Sequence, residues 1–161
     1  MFRRLLFAAA LLLAGGVAQA DCSGPVLRVA DGDSLHVSCD GQDTTVRLQG
    51  IDAPEWRQAY GRRAKKELAA LVEGRELRLL GSEIDSYGRL LATAWLGDLN
   101  INREMARRGY AWAYRRYLHD PALLDDEAQA RQQRLGLWAD PQPVPPWEFR
   151  PPPWKRRQTL H

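Results

Sequence analysis

Two acidic turns and two arginines at strand ends hold most of the chemical potential of this sequence. Asp31-Gly32-Asp33-Ser34 sets carboxylates on either side of a glycine, and such hard oxygen donors suit calcium or magnesium. The same tetrapeptide also makes ordinary turns. Arg47 ends a β-prone run and is followed by Asp52 and Glu55 within Ile51-Asp52-Ala53-Pro54-Glu55, a set that would serve equally as a structural salt bridge. Asp85-Ser86-Tyr87-Gly88-Arg89 is a turn carrying an aromatic ring, with an arginine opening the next strand, and by itself it is also an ordinary hairpin. Taken as chemistry, carboxylates that hold a cation, a carboxylate able to accept a proton, and guanidinium forks for anionic oxygens are the parts of a metal-assisted attack on a phosphate ester.

Other chemistries lack their parts. A Cys/His metal site needs clustered ligands, yet His36, His119 and His161 are far apart and the chain has only two cysteines. There is no P-loop and no dinucleotide fingerprint, and a serine triad has no convincing histidine. His36 is the histidine nearest the acidic loops and, on a strand, reads as structural. Overall charge says little: the formal charge is +3 from 23 basic and 20 acidic residues. Taking away Arg3 and Arg4 leaves 21 basic residues and a charge of +1. Arg62, Arg63, Lys65 and Lys66 can track phosphates or form a solvated helix face, and Arg107-Arg108 and Arg115-Arg116 carry the same two readings.

The elements that must position these residues follow from pattern. Val26 to Val29, Ser34 to Cys39 and Thr44 to Leu48 read as strands, with Asp40-Gly41 as a hairpin turn. Pro54 cannot donate to a ladder, so Ile51 to Glu55 is predicted to leave the sheet as a loop. A helix is predicted from about Gln58 to Glu73, with Ala64, Leu68, Leu71 and Val72 on one face and Gly74 closing it. Glu76 to Leu80 and Leu90 to Leu96 are further strands. Asn100 is a cap for a short helix reaching Gly109. Asp120-Pro121 opens another, ended by Gly136. Trp95, Trp112 and Trp138 are expected in the core, and Trp56 beside the acidic loop. Five short strands followed by helices suit an α+β fold built on a small barrel. The five-stranded Greek-key OB-fold is one such barrel, although periodicity alone does not choose it over other α+β sheets.

The ends read differently. Residues 1–20 have a charged start, the apolar run Leu5 to Leu13 and Ala18-Gln19-Ala20, the parts of a secretory signal cut before Asp21. That run is too short to span a bilayer, and Cys22 lies one position late for lipidation, so no membrane anchor is expected. Export permits a disulfide. Cys22 precedes the first predicted strand and Cys39 ends the second, so a hairpin would bring them together. Seven of the ten prolines fall between Pro141 and Pro153, predicting an extended segment that packs near Trp147. The organisation is therefore leader 1–20, one domain 21–150 and a Pro-rich basic tail 151–161, with a monomer expected.

In their order and spacing, Asp31-Gly32-Asp33-Ser34, Val46-Arg47-Leu48 running into Gly50-Ile51-Asp52-Ala53-Pro54-Glu55, and Asp85 to Leu91 with its Tyr-Gly-Arg strongly resemble the staphylococcal-nuclease-like (thermonuclease) family. Gly109-Tyr110-Ala111-Trp112, Gly136-Leu137-Trp138 and Pro146-Trp147-Glu148 resemble its later landmarks, and the likeness covers Val26 to Arg150. The resemblance implies an OB-fold barrel with about three helices and a calcium-assisted phosphodiesterase acting on DNA and RNA, leaving 3′-phosphate and 5′-hydroxyl ends. By position, Asp33 and Asp52 match carboxylate ligands of Ca2+, with a main-chain oxygen of Ala53 completing the protein's share. Glu55 matches the residue that activates or positions water, and Arg47 and Arg89 match phosphate-binding arginines. Tyr87 and Tyr114 match nucleotide-contacting tyrosines, Tyr114 in a looser register, and Asp31 matches an outer acid near the metal. Ser34 stands where threonine is common. The short Trp56-Arg57-Gln58 segment replaces a longer lysine-bearing loop, a departure that bears on substrate affinity. A non-catalytic nucleic-acid-binding module on the same barrel is the competing reading.

Overall fold

The computed structural model of the chain describes residues 21–151; the leader and the tail beyond Pro151 lie outside them. Asp40 and Gly41 have φ of 49° and 81°, the doubly positive geometry that an Asp-Gly hairpin turn favours. They join β2 (Ser34–Cys39) to β3 (Gln42–Leu48), paired from Ser34↔Arg47 to Cys39↔Gln42. The first strand, β1 (Asp21–Val29), is longer than its short apolar run because it serves two neighbours. Asp21 to Pro25 pair with β5 (Glu76–Ile84), and Val26 to Val29 with β2. Cys22 thus lies inside β1 rather than before it, and it is bonded to Cys39 with Cα atoms 5.6 Å apart.

β6 (Leu90–Leu96) runs antiparallel to β5 and parallel to β3, from Val46↔Leu90 to Leu48↔Ala92. That parallel pairing closes β3-β2-β1-β5-β6 into a five-stranded barrel, the OB-type α+β architecture. Leu35, Val37, Val46, Leu48, Leu77, Leu79, Ala92 and Ala94 alternate along the strands and are all fully buried inside it, as a two-residue period demands.

The helices cover the barrel. α1 (Gly61–Val72) buries Ala64, Leu68 and Val72. It starts later than its apolar spacing suggests because Tyr60 sits at φ 67°, outside the helical region. α2 (Ile101–Arg107) follows the short strand β7 (Leu99–Asn100), and the Asn100 side chain caps it by accepting from the Arg103 N–H at 3.1 Å. α3 (Ala122–Gln132) has Pro121 at the cap position, while the Asp120 carboxylate accepts from the Ala122 N–H. It ends before Leu135, since Arg134 turns to φ 53°.

Other expectations fail as well. Ile51–Asp52 is not wholly loop: as β4 it pairs with β8 (Trp112–Ala113) in a separate two-stranded sheet. The proline segment is not simply extended either, because Pro146–Phe149 forms a single helical turn, α4. A proline at the first helical position loses no hydrogen bond there. Trp112 and Trp138 are buried with Ala130 and Leu137 in a second apolar cluster, whereas Trp95 is half-buried beneath Arg78. Among the described residues no helix is long and apolar enough to cross a membrane.

Candidate nucleolytic site

The three chemical segments meet in one cleft of about 860 Å3, lined by Asp31, Asp33, Arg47, Asp52, Ala53, Glu55, Asp85, Tyr87, Arg89 and Tyr114 among others. Of the basic residues read as possible phosphate contacts, Lys65 lines it, whereas Arg62, Arg63, Lys66, Arg107, Arg108, Arg115 and Arg116 do not. The two cysteines lie elsewhere, on β1 and β2.

Its floor is built by the turn before β2 and by β3 and β4. Gly32 has no room for a side chain: a Cβ would stand 2.7 Å from the Cβ atoms of both Ala53 and Ala64. This close approach presses the acidic turn onto the loop that follows β4. Asp33 is 6% exposed, and its Oδ2 accepts from the Ala53 N–H at 2.7 Å. Its Oδ1 accepts from the Ser34 hydroxyl at 3.1 Å, so the hydroxyl that serine shares with threonine is in use. Asp31 Oδ1 accepts from the Asp33 N–H at 3.0 Å, which places the outer acid behind the turn.

Arg47 ties these parts together. One terminal nitrogen donates to the Leu48 and Ile51 carbonyls at 2.6 and 2.9 Å, and the other lies 3.1 Å from both Asp33 Oδ2 and Asp52 Oδ1. Both terminal nitrogens are therefore committed to the protein, and the guanidinium is locked rather than free. Asp52, only 2% exposed, is held on β4 opposite Trp112. β8 is in turn fastened by the buried Glu127, which accepts from the Ala113 N–H and pairs with Arg115 and Arg131.

On the opposite rim, Asp85 shapes its own turn. Its carboxylate accepts from the Tyr87 and Arg89 N–H groups at 2.9 and 3.0 Å and takes the Arg89 Nε–H at 2.8 Å. The Arg89 guanidinium carbon lies 5.4 Å from the centre of the Tyr87 ring, which is 77% exposed. Tyr114 is different. One face stacks on Trp147 at 5.6 Å and 9°, and Tyr117 meets it edge-on at 5.1 Å.

Glu55 is anchored twice through its main chain. Its N–H donates to the Gln58 side chain at 3.0 Å, and Gly61 approaches so closely that a Cβ would stand 1.9 Å from the Glu55 carbonyl oxygen. Its carboxylate is paired with Arg150, a residue outside the three chemical segments. Arg150 Nε lies 2.7 Å from Glu55 Oε1, and its terminal nitrogen pairs with Asp52 Oδ2. Nothing in the spacing of Arg150, 98 positions beyond Asp52, marks it in advance. His119 was also missed: it lines the cleft, whereas His36 faces away and binds Asp43 and Arg28. Trp56 does border the cleft, with Lys65 Nζ 5.4 Å and the Arg62 guanidinium 6.0 Å from its ring.

Electrostatics distinguish the floor from the rim. Burial pushes the Asp52 carboxyl up to about 6, the Asp33 charge adds to this, and Arg47 and Arg150 oppose it. Burial and the charge of Asp33 likewise raise Asp31 to about 6. Slight burial of Asp85 is outweighed by the hydrogen bonds from Arg89 and Tyr87, which hold it below the usual carboxylate range.

The floor fits a hard divalent cation. Its donors are carboxylate oxygens, and four acids (Asp31, Asp33, Asp52, Glu55) face two guanidinium groups (Arg47, Arg150), leaving negative charge in a buried place. Among the described residues, three or more His, Cys, Asp or Glu side chains nowhere converge as a complete cage. Side chains would therefore supply only part of a coordination shell.

The family profile described as "Staphylococcal nuclease homologue" matches residues 45–140. The chain is 41% identical over 158 residues to a protein of Shigella flexneri named micrococcal nuclease, covering 91% of each chain. It is equally 41% identical over 158 residues to Protein ParB of Escherichia coli, covering 91% of this chain and 89% of that one. It is also 42% identical over 132 residues to an uncharacterized endonuclease of Escherichia coli O157:H7, covering 81% and 86%. The cleft that gathers Asp33, Arg47, Asp52, Glu55 and Arg89 is thus carried by a chain that belongs to the staphylococcal nuclease family.

Proposed function

We propose that the chain is an exported, calcium-dependent endonuclease that hydrolyses phosphodiester bonds of DNA and RNA, favouring single strands and leaving 3′-phosphate and 5′-hydroxyl ends. The observation that carries this reading is the single cleft in which Asp33 and Asp52 share the Arg47 guanidinium while Glu55 and Arg89 border the same space. Asp33 and Asp52, with the Ala53 carbonyl, would hold the cation. Calcium bound there would supply Lewis acidity and order the attacking water.

The chain's own residues do the rest. Glu55 accepts a proton from that water or orients it. Arg89, with one terminal nitrogen outside its ion pair, faces the charge that grows on the phosphate oxygens. Arg47 contributes a fixed positive field and keeps the two buried aspartates together. Tyr87 stands exposed where an unpaired base can stack, and this supports the preference for single strands. Its neighbour Arg89 would then hold the adjoining phosphate.

Digestion of end-labelled single-stranded DNA and RNA, with calcium and then with a chelator, tests this reading. Cleavage confined to calcium and 3′-phosphate products are expected; calcium-independent cleavage would remove the metal role. Export is supported by the leader pattern of residues 1–20 and agrees with the Cys22–Cys39 disulfide. N-terminal sequencing of the processed protein should begin at Asp21, and an uncut Met1 would sink it.

A further inference from the structure

The carboxylate of Glu55 and the carboxylate of Asp52 have different proposed tasks, yet one cation touches both. Arg150 brings its terminal nitrogen to Asp52 Oδ2 and its Nε to 2.7 Å from Glu55 Oε1. Among the described residues it is the one basic side chain in ion-pair contact with Glu55. The main chain of Glu55 is fixed by Gln58, just ahead of α1, but its side chain remains 43% exposed, with this ion pair as its charged contact. The Nε–H is not aimed at the Glu55 oxygen, and Nε has no directed hydrogen-bond partner. The attraction is therefore one of charge, which confines the carboxylate near the cleft without fixing its rotation.

Arg150 does not arrive there by a loose tail. The Gln58 amide donates to the Val144 carbonyl at 2.5 Å, Pro146 is buried, and Trp147 is stacked on Tyr114 and meets Trp112 at 5.5 Å. Residues 144–150 thus form a strap fastened to the loop after Glu55 at one end and to β8 at the other. Its arginine ends over the acidic floor.

We propose that Arg150 is a positioning residue of this nuclease site: it directs Glu55 toward the cleft and shares Asp52 Oδ2 with the cation that binds the floor. The assignment rests on the nuclease reading above and adds the C-terminal strap to the active site. It has a signature that a merely structural arginine would lack. Loss of Arg150 removes a positive charge beside Asp52 and frees one of its oxygens, so calcium binds more tightly. The same loss releases Glu55, so turnover falls.

The test uses the purified full-length protein and its Arg150→Met and Arg150→Lys variants, methionine keeping much of the apolar stem. Calcium binding is read by titration calorimetry, turnover and KM on denatured DNA at saturating calcium, and folding by thermal melting. For Arg150→Met, kcat should fall roughly 10- to 100-fold with KM little changed, the size seen when the partners of site residues are removed. Its calcium dissociation constant should drop about fivefold, as expected for removing one charge close to a divalent ion. Arg150→Lys keeps the charge, so its calcium affinity should stay near that of the parent while its kcat recovers in part. Equal turnover in Arg150→Met and the parent overturns the proposal. So does calcium affinity that falls together with the melting temperature, which would mark Arg150 as a fastening of the strap and nothing more. A parent protein that cleaves without calcium overturns the underlying nuclease reading instead.

Discussion

Arg47 and Arg89 look alike in the sequence: each sits at a strand end with acids close by. In the structure they are opposites. Arg47 lies on the barrel floor, 12% exposed, with both terminal nitrogens bound to two carbonyls and two buried aspartates. Arg89 stands on a turn, 29% exposed, held among the described residues by Asp85 and flanked by an open tyrosine. The difference separates two tasks that the residue type does not reveal. The floor arginine makes a cluster of buried carboxylates possible, whereas the rim arginine keeps a donor for a ligand.

The largest effect that would sharpen this contrast is on Arg47→Ala. Its cleavage rate should fall by two to three orders of magnitude, the range for losing a preorganised electrostatic part of a site, here the fixed charge that keeps Asp33 and Asp52 together. Its stability should also fall by about 3 kcal/mol, because Asp33 and Asp52 would be left buried without their shared partner. Arg89→Ala should lose rate by a similar factor while costing about 1 kcal/mol, the upper end for surface pairs, since Arg89 and Asp85 are only partly exposed. Thermal melts in chelator beside initial rates in calcium would check both. Two variants with the same melting temperature would erase the distinction between floor and rim.

Much of this geometry was legible in advance, for identifiable reasons. Asp40-Gly41, Asn100 and the Asp85 turn act through local chemistry, and each behaves in the structure as its residue type requires. The five strands follow a two-residue alternation that survives closure of the barrel. What escaped was set by long-range contacts. Ile51–Asp52 becomes a strand only because β8, some 60 positions later, offers it a partner. Arg150 becomes part of the site because distant partners fasten the strap, Gln58 at Val144 and Tyr114 and Trp112 at Trp147. His119 is far from the acidic turns along the chain yet lines the cleft, whereas His36, read as structural, turns its side chain toward Asp43.

The second contrast is one of sign with pH. Asp52 and Asp31 are raised from an ordinary 3.8 to about 6. Their charged forms therefore cost more in the folded state than in the unfolded one. Without a metal, stability should decline as pH rises from about 4 through 6, by roughly 3 kcal/mol for Asp52 at about 1.4 kcal/mol per unit. Asp85 is lowered, so its contribution is present above 3.8 and is lost as pH falls through its folded value. Asp52→Asn should flatten the decline between pH 4 and 6.5 in chelator, and Asp85→Asn should weaken the protein at pH 7 more than at pH 3. Calcium requires the charged floor, so its affinity should weaken as pH drops below 6. Calorimetry that finds equal affinity at pH 5 and pH 7.5 would separate the cation from these aspartates.

The smallest effect concerns the two tyrosines, and it asks whether the rim or the strap meets the nucleotide. Tyr87 presents an open ring, while Tyr114 already spends one face on Trp147 and is packed at a steep angle against Tyr117. Stacking of a base on an aromatic ring is worth about 1–3 kcal/mol, and only an accessible face can collect it. Tyr87→Ala should therefore weaken binding of a single-stranded oligonucleotide about 30-fold, at the middle of that range, with an unchanged melting temperature. Tyr114→Ala should do less to binding and more to stability, since it strips the platform on which the strap rests. Fluorescence anisotropy in chelator, where the strand stays uncut, isolates binding from cleavage. If Tyr114→Ala weakens binding as much as Tyr87→Ala while the fold holds, the nucleotide reaches across the cleft to the strap. The rim would then be only one of two places where bases are held.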